Sequence, residues 1–263
     1  MKFKYILAVS LCLTLLLTLA GCTPANAPDE STAPSQTTVD TAPETETGTE
    51  SADIFADVEP VEVPEVPEEL FFQSLDYSCY EDAMYDYGIQ PNTLKELCNF
   101  KWVGYILLCD VVSDIDEYAQ YENRDAAYSD LKVVRVIKGD CEVGDMFTVK
   151  ESGTRRSDGY DIAPDGVPLI RKNMRMLLFL MPPDAGTPPE FTKEGYTFSG
   201  LGAAPYLSKI YIDENNMAYP ASAYIQAAYD RAGIDRPFWE CLDDFKEPVP
   251  LGKLLALLDS YVE

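Results

Sequence analysis

A series of short apolar strands separated by turn residues most constrains the fold of this chain. The stretch WVGYILLCDVVS, residues 102–113, is rich in β-branched and aromatic residues and predicts a strand buried on both faces. In DLKVVRVIKGD, residues 130–140, apolar side chains alternate with others before a Lys-Gly-Asp turn. The same criteria predict further strands within residues 145–153, 173–183, 196–202 and 209–220.

The turns between these strands favour antiparallel pairing. Asn215 and Asn216 suit a two-residue hairpin turn, because Asn tolerates positive φ. Strands that follow one another through short turns indicate a meander, closed or nearly closed into a small antiparallel barrel. We therefore expect one α+β domain over residues 70–263, with the barrel core at about 100–220 and C-terminal helices at about 221–263.

Helices are predicted on both sides of the strands. An apolar stripe predicts a helix over residues 69–87. Thr93 and Glu96 have the spacing of a capping box, in which both side chains bind free N–H groups at the start of a helix. Apolar residues at helical spacing predict three further helices, at residues 222–231, 237–245 and 251–262.

The first 21 residues have the pattern of a signal peptide. Two lysines precede an apolar run that is shorter than a typical transmembrane helix. No charged residues follow this run directly, as they would in a stop-transfer sequence. The LAGC sequence at residues 19–22 resembles the lipobox of bacterial lipoproteins. The resemblance implies cleavage between Gly21 and Cys22, thioether lipidation of Cys22 and acylation of its amino group. It also implies a location on the outer face of the cytoplasmic membrane. An ordinary secretory signal with an incidental cysteine is the alternative.

Residues 22–69 are predicted to be a disordered, acidic tether that begins at the lipidated cysteine. Residues 23–69 contain 13 Asp or Glu and no Lys or Arg, and Phe55 is their one aromatic residue. Such a segment buries too little apolar surface to offset the entropy lost on ordering. Charge repulsion and prolines favour an extended chain that holds the domain clear of the envelope surface.

The order of strands and turns resembles a family of exported domains. VIKGD at residues 136–140 ends one strand, and VGD at residues 143–145 precedes the next. LLFL at residues 177–180 and a glycine-containing turn at residues 200–202 follow in the same order. Residues 92–220 are thereby similar to the small OB-like β-barrel domains of exported lipoproteins from Firmicutes-type bacteria. The resemblance implies an OB-like fold and an exported location, without a defined reaction.

Charge and the absence of histidine exclude several classes of function. The net charge of −25 repels phosphate backbones, so we expect no nucleic-acid partner. A chain without histidine cannot form Ser-His-Asp triads, Cys-His dyads or His-containing zinc sites. Paired carboxylates could serve a glycosidase, but no pair stands out among so many acids. We therefore expect no catalytic residues, metal or cofactor.

The acidic, glycine and cysteine motifs support this expectation. Counted from Asp110 or from Asp114, the acidic run lacks the glycine at position 6 and the glutamate at position 12 of an EF-hand. SGLGAAP at residues 199–205 lacks the Lys-Ser/Thr of a P-loop and predicts a tight turn. An exported location allows a disulfide, but the spacing does not select a pair among Cys79, Cys98, Cys109, Cys141 and Cys241.

Tyrosines form the candidate ligand face. Tyr105, Tyr196, Tyr206 and Tyr211 lie on or beside predicted strands, where aromatic rings could stack against an extended polymer. A boundary position between core and water is the alternative. We expect a non-enzymatic binding or adaptor module of the cell envelope, bound to the lipid bilayer and to a glycan, a peptide or an envelope protein. The alternatives are a carboxylate-dependent hydrolase of cell-wall or dietary glycans and a structural subunit of an envelope assembly.

Overall fold

The structure, a computed structural model, describes residues 53–70, 80–83, 88–114, 126–155, 161–164, 166–183, 194–235 and 240–262. All of them belong to one unit of the chain, Thr49–Glu263. The strands are β1 (Tyr80–Ala83), β2 (Tyr105–Ser113), β3 (Ala126–Lys138), β4 (Met146–Ser152), β5 (Thr154–Arg155), β6 (Asp161–Pro164), β7 (Arg175–Leu180), β8 (Tyr196–Gly200), β9 (Lys209–Ile212), β10 (Met217–Pro220) and β11 (Val249–Pro250). The helices are α1 (Leu94–Cys98), α2 (Pro205–Ser208), α3 (Ala221–Ala232) and α4 (Leu251–Tyr261).

Eight of these strands form one open sheet. Its order is β11-β10-β9-β7-β2-β3-β4-β8. The neighbours are antiparallel, except that β4 and β8 run parallel. The remaining strands form a smaller sheet in the order β1-β6-β5. The predicted α+β class is confirmed, and the large sheet has the mainly antiparallel pairing that the turn-separated strands predict.

Strand β2 lies in the middle of the large sheet and is buried on both faces, as its sequence predicts. Ile106 and Leu108 belong to a core cluster that also contains residues of α1 and α4. Leu107 and Cys109 belong to a second cluster, formed with residues of α3 and of the segment before β7. Each such side chain contributes about 1.5–3 kcal/mol by leaving water. The sheet is therefore stabilised by apolar packing on both sides.

Two local predictions are confirmed by hydrogen bonds. The Thr93 Oγ1 accepts the Glu96 N–H at 3.2 Å, and the Glu96 carboxylate accepts the Asn92 N–H at 2.9 Å, so α1 begins as a capped helix. Between β9 and β10, Asn216 has φ of 56°. There the Asp213 Oδ1 accepts the Met217 N–H at 2.7 Å, so the predicted hairpin is present. Its turn is one residue longer than predicted, because residues 214–216 lie between the hydrogen-bonded Asp213 and Met217.

The C-terminal helices are confirmed at α3 and α4, whereas two other helix predictions are wrong. Within residues 69–87, Tyr80–Ala83 forms β1, which pairs with β6 in parallel. This pairing with a distant segment overrides the local helical pattern, and residues 71–79 and 84–87 lie outside the described residues. Residues 240–245 are not helical, because they bury Leu242 and Phe245 as an irregular segment against the first core cluster.

Residues 53–65, here termed the strap, lie against the sheet, so the predicted tether ends too late. Phe55 is 6% exposed and packs on Phe245, with ring centroids 5.7 Å apart. The Val61 N–H donates a hydrogen bond of 3.1 Å to the Gly252 carbonyl in α4. The strap is thus part of the domain. Residues 1–52, which include the predicted signal peptide and most of the tether, lie outside the described residues.

Cations hold the strap by its backbone carbonyls. The Lys253 Nζ donates to the Phe55 carbonyl at 2.9 Å. The Arg175 Nη1 donates to the carbonyls of Pro64 and Glu65 at 2.9 and 2.8 Å. Arg175 itself is 2% exposed and pairs with Asp110 at 2.7 Å. Amino-acid composition does not reveal hydrogen bonds to backbone carbonyls. The sequence of the strap therefore predicts disorder.

Candidate functional site

A groove opens at one end of the large sheet, where β7 and β8 finish. It has a volume of about 410 Å³. This groove, here termed the Trp102 groove, is lined by residues 89–90, 100–102, Met181 and 201–204. This volume lies in the lower part of the range of ligand sites, and an open groove of this size accommodates one or a few side chains of a partner.

Large apolar side chains of the Trp102 groove remain in contact with water. Trp102 is 50% exposed, Ile89 is 93% exposed and Met181 is 37% exposed. The Lys101 Nζ lies 5.0 Å from the centroid of a Trp102 ring, a cation–π contact that orients the indole at the surface. Exposed apolar residues that cluster around a concave surface are typical of interaction sites, whereas isolated ones are not.

Tight backbone turns place these side chains outward. The Val103 N–H donates to the Phe100 carbonyl at 2.8 Å, which turns the chain between α1 and β2 and leaves Lys101 and Trp102 at the surface. Gly202 passes close beneath this turn. A Cβ on Gly202 would lie 2.8 Å from the Val103 Cγ2, so only glycine allows this approach.

A hydrogen bond joins the two walls of the groove. The Gln90 Oε1 accepts the Ala204 N–H at 2.8 Å. On the other side, Leu180 forms an antiparallel bridge with Leu201, next to Met181. Because both walls are fixed to the end of the sheet, the exposed side chains lie on a surface that is largely formed before a partner binds.

The structure does not bring the four predicted tyrosines together on a ligand face. Tyr105 is buried against Phe147, with ring centroids 5.2 Å apart. Tyr211 is buried and stacked on Tyr224 at 3.9 Å. Both rings belong to the second core cluster, so they stabilise the sheet and are not accessible to a ligand.

The other two predicted tyrosines are half-buried and lie apart in the fold. Tyr196 begins the edge strand β8, opposite Met146. Tyr206 lies in α2 and packs against both core clusters. The alternative interpretation, a boundary position between core and water, fits the half-buried Tyr196 and Tyr206, whereas Tyr105 and Tyr211 lie in the core itself.

A buried ion pair crosses the interior of the sheet. The Lys209 Nζ in β9 lies 2.6 Å from the Glu151 Oε2 in β4, and the two side chains are 0% and 2% exposed. The Lys209 Nζ also donates to the Pro168 carbonyl at 2.7 Å. The Glu151 Oε1 accepts the Ile170 N–H at 2.6 Å. Both charges are thus paired and hydrogen-bonded away from solvent, which is the arrangement of a structural pair.

Among the described acids, Asp244 has a raised pKa, and it too has a structural partner. Burial raises the pKa of Asp244 above its ordinary value, and this residue lines a cavity of about 360 Å³ together with Asp53, Asp243 and Glu247. The Asp244 Oδ1 accepts the Leu94 N–H at 2.9 Å, a bond that fixes the first turn of α1. The Asp244 carboxylate therefore stabilises the fold. Its raised pKa is no evidence for a catalytic pair in which one carboxyl group acts as the acid and another as the base.

The four cysteine thiols in the described part of the domain are poor nucleophiles. Burial raises the pKa of Cys98 to about 12 and raises the pKa of Cys109 well above its ordinary value. Burial likewise raises the pKa of Cys141 and of Cys241, and these four cysteines are free. At neutral pH they are thiols rather than the thiolates that react. Cys79 lies outside the described residues.

The acidic run near the end of β2 is used in ion pairs. Asp110 pairs with Arg175, and the Asp114 Oδ2 lies 3.8 Å from the Arg171 Nη1. Asp116 and Glu117 lie outside the described residues. In the described part of the chain, no group of three or more acidic or cysteine side chains is placed to hold a metal ion.

Comparison with known proteins leaves the Trp102 groove as the main guide to function. No family model matches the chain, and no characterised protein or solved structure matches it significantly. Among the described helices, none combines the length and the apolar character needed to cross a bilayer.

The sequence places Trp102 in the first strand, but β2 begins at Tyr105, after the turn. The signal for this turn is Gly104, which lies against the Pro182 backbone.

Proposed function

We propose that this protein is a lipid-anchored binding module of the cell envelope, with the Trp102 groove as its binding surface. The lipobox at residues 19–22 supports an anchor at Cys22, with cleavage after Gly21. Two or three acyl chains give stable attachment, because each buried CH₂ contributes ~0.8 kcal/mol. The bound protein lies on the outer face of the cytoplasmic membrane, where its partner is another component of the envelope.

The proposed domain has an OB-like barrel, made of β2, β3, β4, β7 and β8. The parallel pairing of β4 with β8 and the bridge between Leu180 and Leu201 support this closure. Beside that bridge, the Met181 N–H donates to the Gly200 carbonyl at 2.9 Å. In the proposed five-stranded barrel, the neighbours β7-β2-β3-β4-β8 return to β7 through this bridge.

The buried ion pair also supports strong coiling of the sheet. Strands β9 and β4 have three strands between them. In a flat sheet they would lie about 19 Å apart, at about 4.8 Å per strand. The Lys209 and Glu151 side chains nevertheless meet at 2.6 Å. A curved sheet that encloses the second core cluster accounts for this contact.

The half-exposed Trp102 beside Ile89 and Met181 is the observation that carries the proposed binding function. Tryptophan dominates the energetics of many protein interfaces, and aliphatic neighbours favour contact with apolar side chains. We therefore propose an apolar segment of an envelope protein as the partner.

Site-specific photo-crosslinking in intact cells tests this proposal. A benzophenone amino acid replaces Ile89 in the groove or, as a matched control, the 69%-exposed Val143 between β3 and β4. The expected result is a discrete protein adduct from position 89 that is absent from position 143. In a Trp102→Ala background we expect the adduct to fall about tenfold or more, because truncation removes the central apolar contact.

Two outcomes would contradict this function. Equal adducts at positions 89 and 143 would show that crosslinking reports only exposure. An adduct that glycosidases remove would assign the groove to a glycan and contradict a protein partner.

A further inference from the structure

Lys101 is the one charged residue among the described residues that line the Trp102 groove. Its side chain is exposed, and it forms no ion pair within the described part of the chain. The Lys101 Nζ lies over the Trp102 ring. An ammonium group has three N–H donors, and the ring engages only one side of it. The groove therefore presents an available positive charge beside its exposed apolar side chains.

A second cavity shares part of its wall with the Trp102 groove. Its volume is about 440 Å³. Gln90, Phe100 and Lys101 line both cavities. The other lining residues of the second cavity are Pro91, Glu96 and Asn99. Lys101 thus lies where the two cavities meet, and a partner segment that fills both cavities passes this residue.

The other polar side chains of the second cavity are engaged in the fold. The Glu96 Oε2 accepts the Asn92 N–H at 2.9 Å, as part of the cap of α1. The Asn99 Nδ2 donates to the Lys95 carbonyl at 3.0 Å. Neither of these side chains is needed by a partner for its own hydrogen bonds to form. Among the described lining residues, Lys101 is therefore the charged group that a partner can pair with.

The charge of the whole chain makes this cation selective. The formal net charge is −25, so most of the surface repels an acidic partner. Charges are screened over about 8 Å at physiological ionic strength, and a direct contact with Lys101 therefore outweighs more distant acids. A carboxylate placed beside apolar side chains is complementary to the joined cavities.

We propose that the partner segment carries an acidic side chain between two apolar ones, and that Lys101 selects it. Alternate side chains of an extended segment point to the same face. Apolar residues at its first and fifth positions then enter the two cavities, and an Asp or Glu at its third position pairs with Lys101. This inference rests on the proposed binding function of the Trp102 groove and adds the charge that its partner carries.

Crosslinking of synthetic peptides tests the charge requirement. The full-length chain, with the benzophenone amino acid at position 89, is placed in phosphatidylcholine nanodiscs. The probes are biotinylated Leu-Ser-Glu-Ser-Leu amide and the same peptide with Gln or Lys in place of Glu. We expect the Glu peptide to reach half-maximal adduct at about threefold lower concentration than the Gln peptide, and the Lys peptide to require the most. At about 1 M salt, where screening acts over about 3 Å, this preference disappears.

Variants of Lys101 assign the preference to this residue. We expect Lys101→Gln to remove the preference for Glu over Gln and Lys101→Arg to retain it. Lys132→Gln is the matched control, because Lys132 is exposed in β3 and lines neither cavity. An unchanged preference in Lys101→Gln, or an equal weakening of both peptides, would overturn the proposal, since equal weakening means that Lys101 only orients Trp102.

Failure of this inference is distinguishable from failure of the proposed function. Equal binding of the three peptides, reduced in a Trp102→Ala background, would overturn the charge requirement and leave the groove as a binding surface. No adduct of the Glu peptide at millimolar concentration, or adducts only to lipid or to a second copy of the chain, would also overturn the proposal. Crosslinking in intact cells then decides the proposed function separately.

Discussion

At the scale of single residues, the surroundings of a buried charge show whether its role is structural or catalytic. Lys209 and Glu151 are both enclosed, and each has a backbone partner in the segment before β7, at Pro168 and Ile170. Removing one charge leaves the other buried without compensation, which is far more costly than the net value of the pair. The pair therefore joins β9 and β4 to each other and to the segment before β7.

Substitution of one member of this pair should be strongly destabilising. We expect Lys209→Met to lower the free energy of unfolding by about 3–5 kcal/mol, measured by chemical denaturation. The double variant Lys209→Met/Glu151→Gln should lose less than the single variant, because Gln removes the second charge and keeps an acceptor for the Ile170 N–H.

A surface ion pair provides the comparison for that measurement. Arg135 and Asp259 approach to 2.6 Å with partly exposed side chains, and Asp259→Asn should cost less than about 1 kcal/mol. If Lys209→Met lowers the free energy of unfolding by no more than Asp259→Asn does, the buried pair does not hold the sheet.

At the scale of elements, the strap is a segment with the composition of a linker that is held as part of the core. Phe55 fills a site beside Phe245, and Lys253 and Arg175 bind the strap through carbonyl groups. The acidic side chains of the strap are exposed to solvent, so the negative charge of the strap does not prevent this packing. One aromatic side chain and a few backbone bonds thus order an otherwise polar segment.

Truncation of Phe55 tests the strap. We expect Phe55→Ala to lower the free energy of unfolding by about 3–5 kcal/mol, since a buried aromatic ring is lost, and Glu59→Ala, at an exposed position, to change it by less than about 0.5 kcal/mol. In the folded protein, a glutamate-specific protease should spare Glu59, Glu62 and Glu65 and should cut there in Phe55→Ala. Equal cleavage of both proteins would show that the strap is not docked.

The strands could be predicted from sequence because their patterns are local. The apolar run in β2 and the turn residues around Asn216 act within a few residues of one another. The strap and β1 could not be predicted, because their partners are distant in sequence. Val61 of the strap bonds to Gly252, and β1 pairs with β6. Long-range pairing overrides local propensity in such segments.

The same distinction explains the candidate site. Aromatic content favours tyrosines as the binding residues, but Tyr105 and Tyr211 are core residues. The sequence predicts a strand at the exposed Trp102, because within residues 102–113 only Gly104 marks where the strand begins. The approach of Gly104 to Pro182 and of Gly202 to Val103 is a tertiary property, so the groove becomes visible only in the folded chain.

At the scale of the whole molecule, the proposed function combines an anchor and a binding surface. The net charge of −25 is repulsive toward anionic polymers, while the Trp102 groove offers an apolar contact. A lipid at Cys22 would restrict the domain to the envelope surface and raise its local concentration near a partner there. The proposed envelope adaptor needs both parts, but its proposed location depends on Cys22 alone.

Metabolic labelling with a palmitate analogue tests this central claim most directly. The account predicts that the wild-type chain is labelled, that Cys22→Ala abolishes the label, and that Cys241→Ala, which removes a free cysteine of the domain, retains it. Persistent labelling of Cys22→Ala, or an unlabelled wild-type chain, would contradict the anchor.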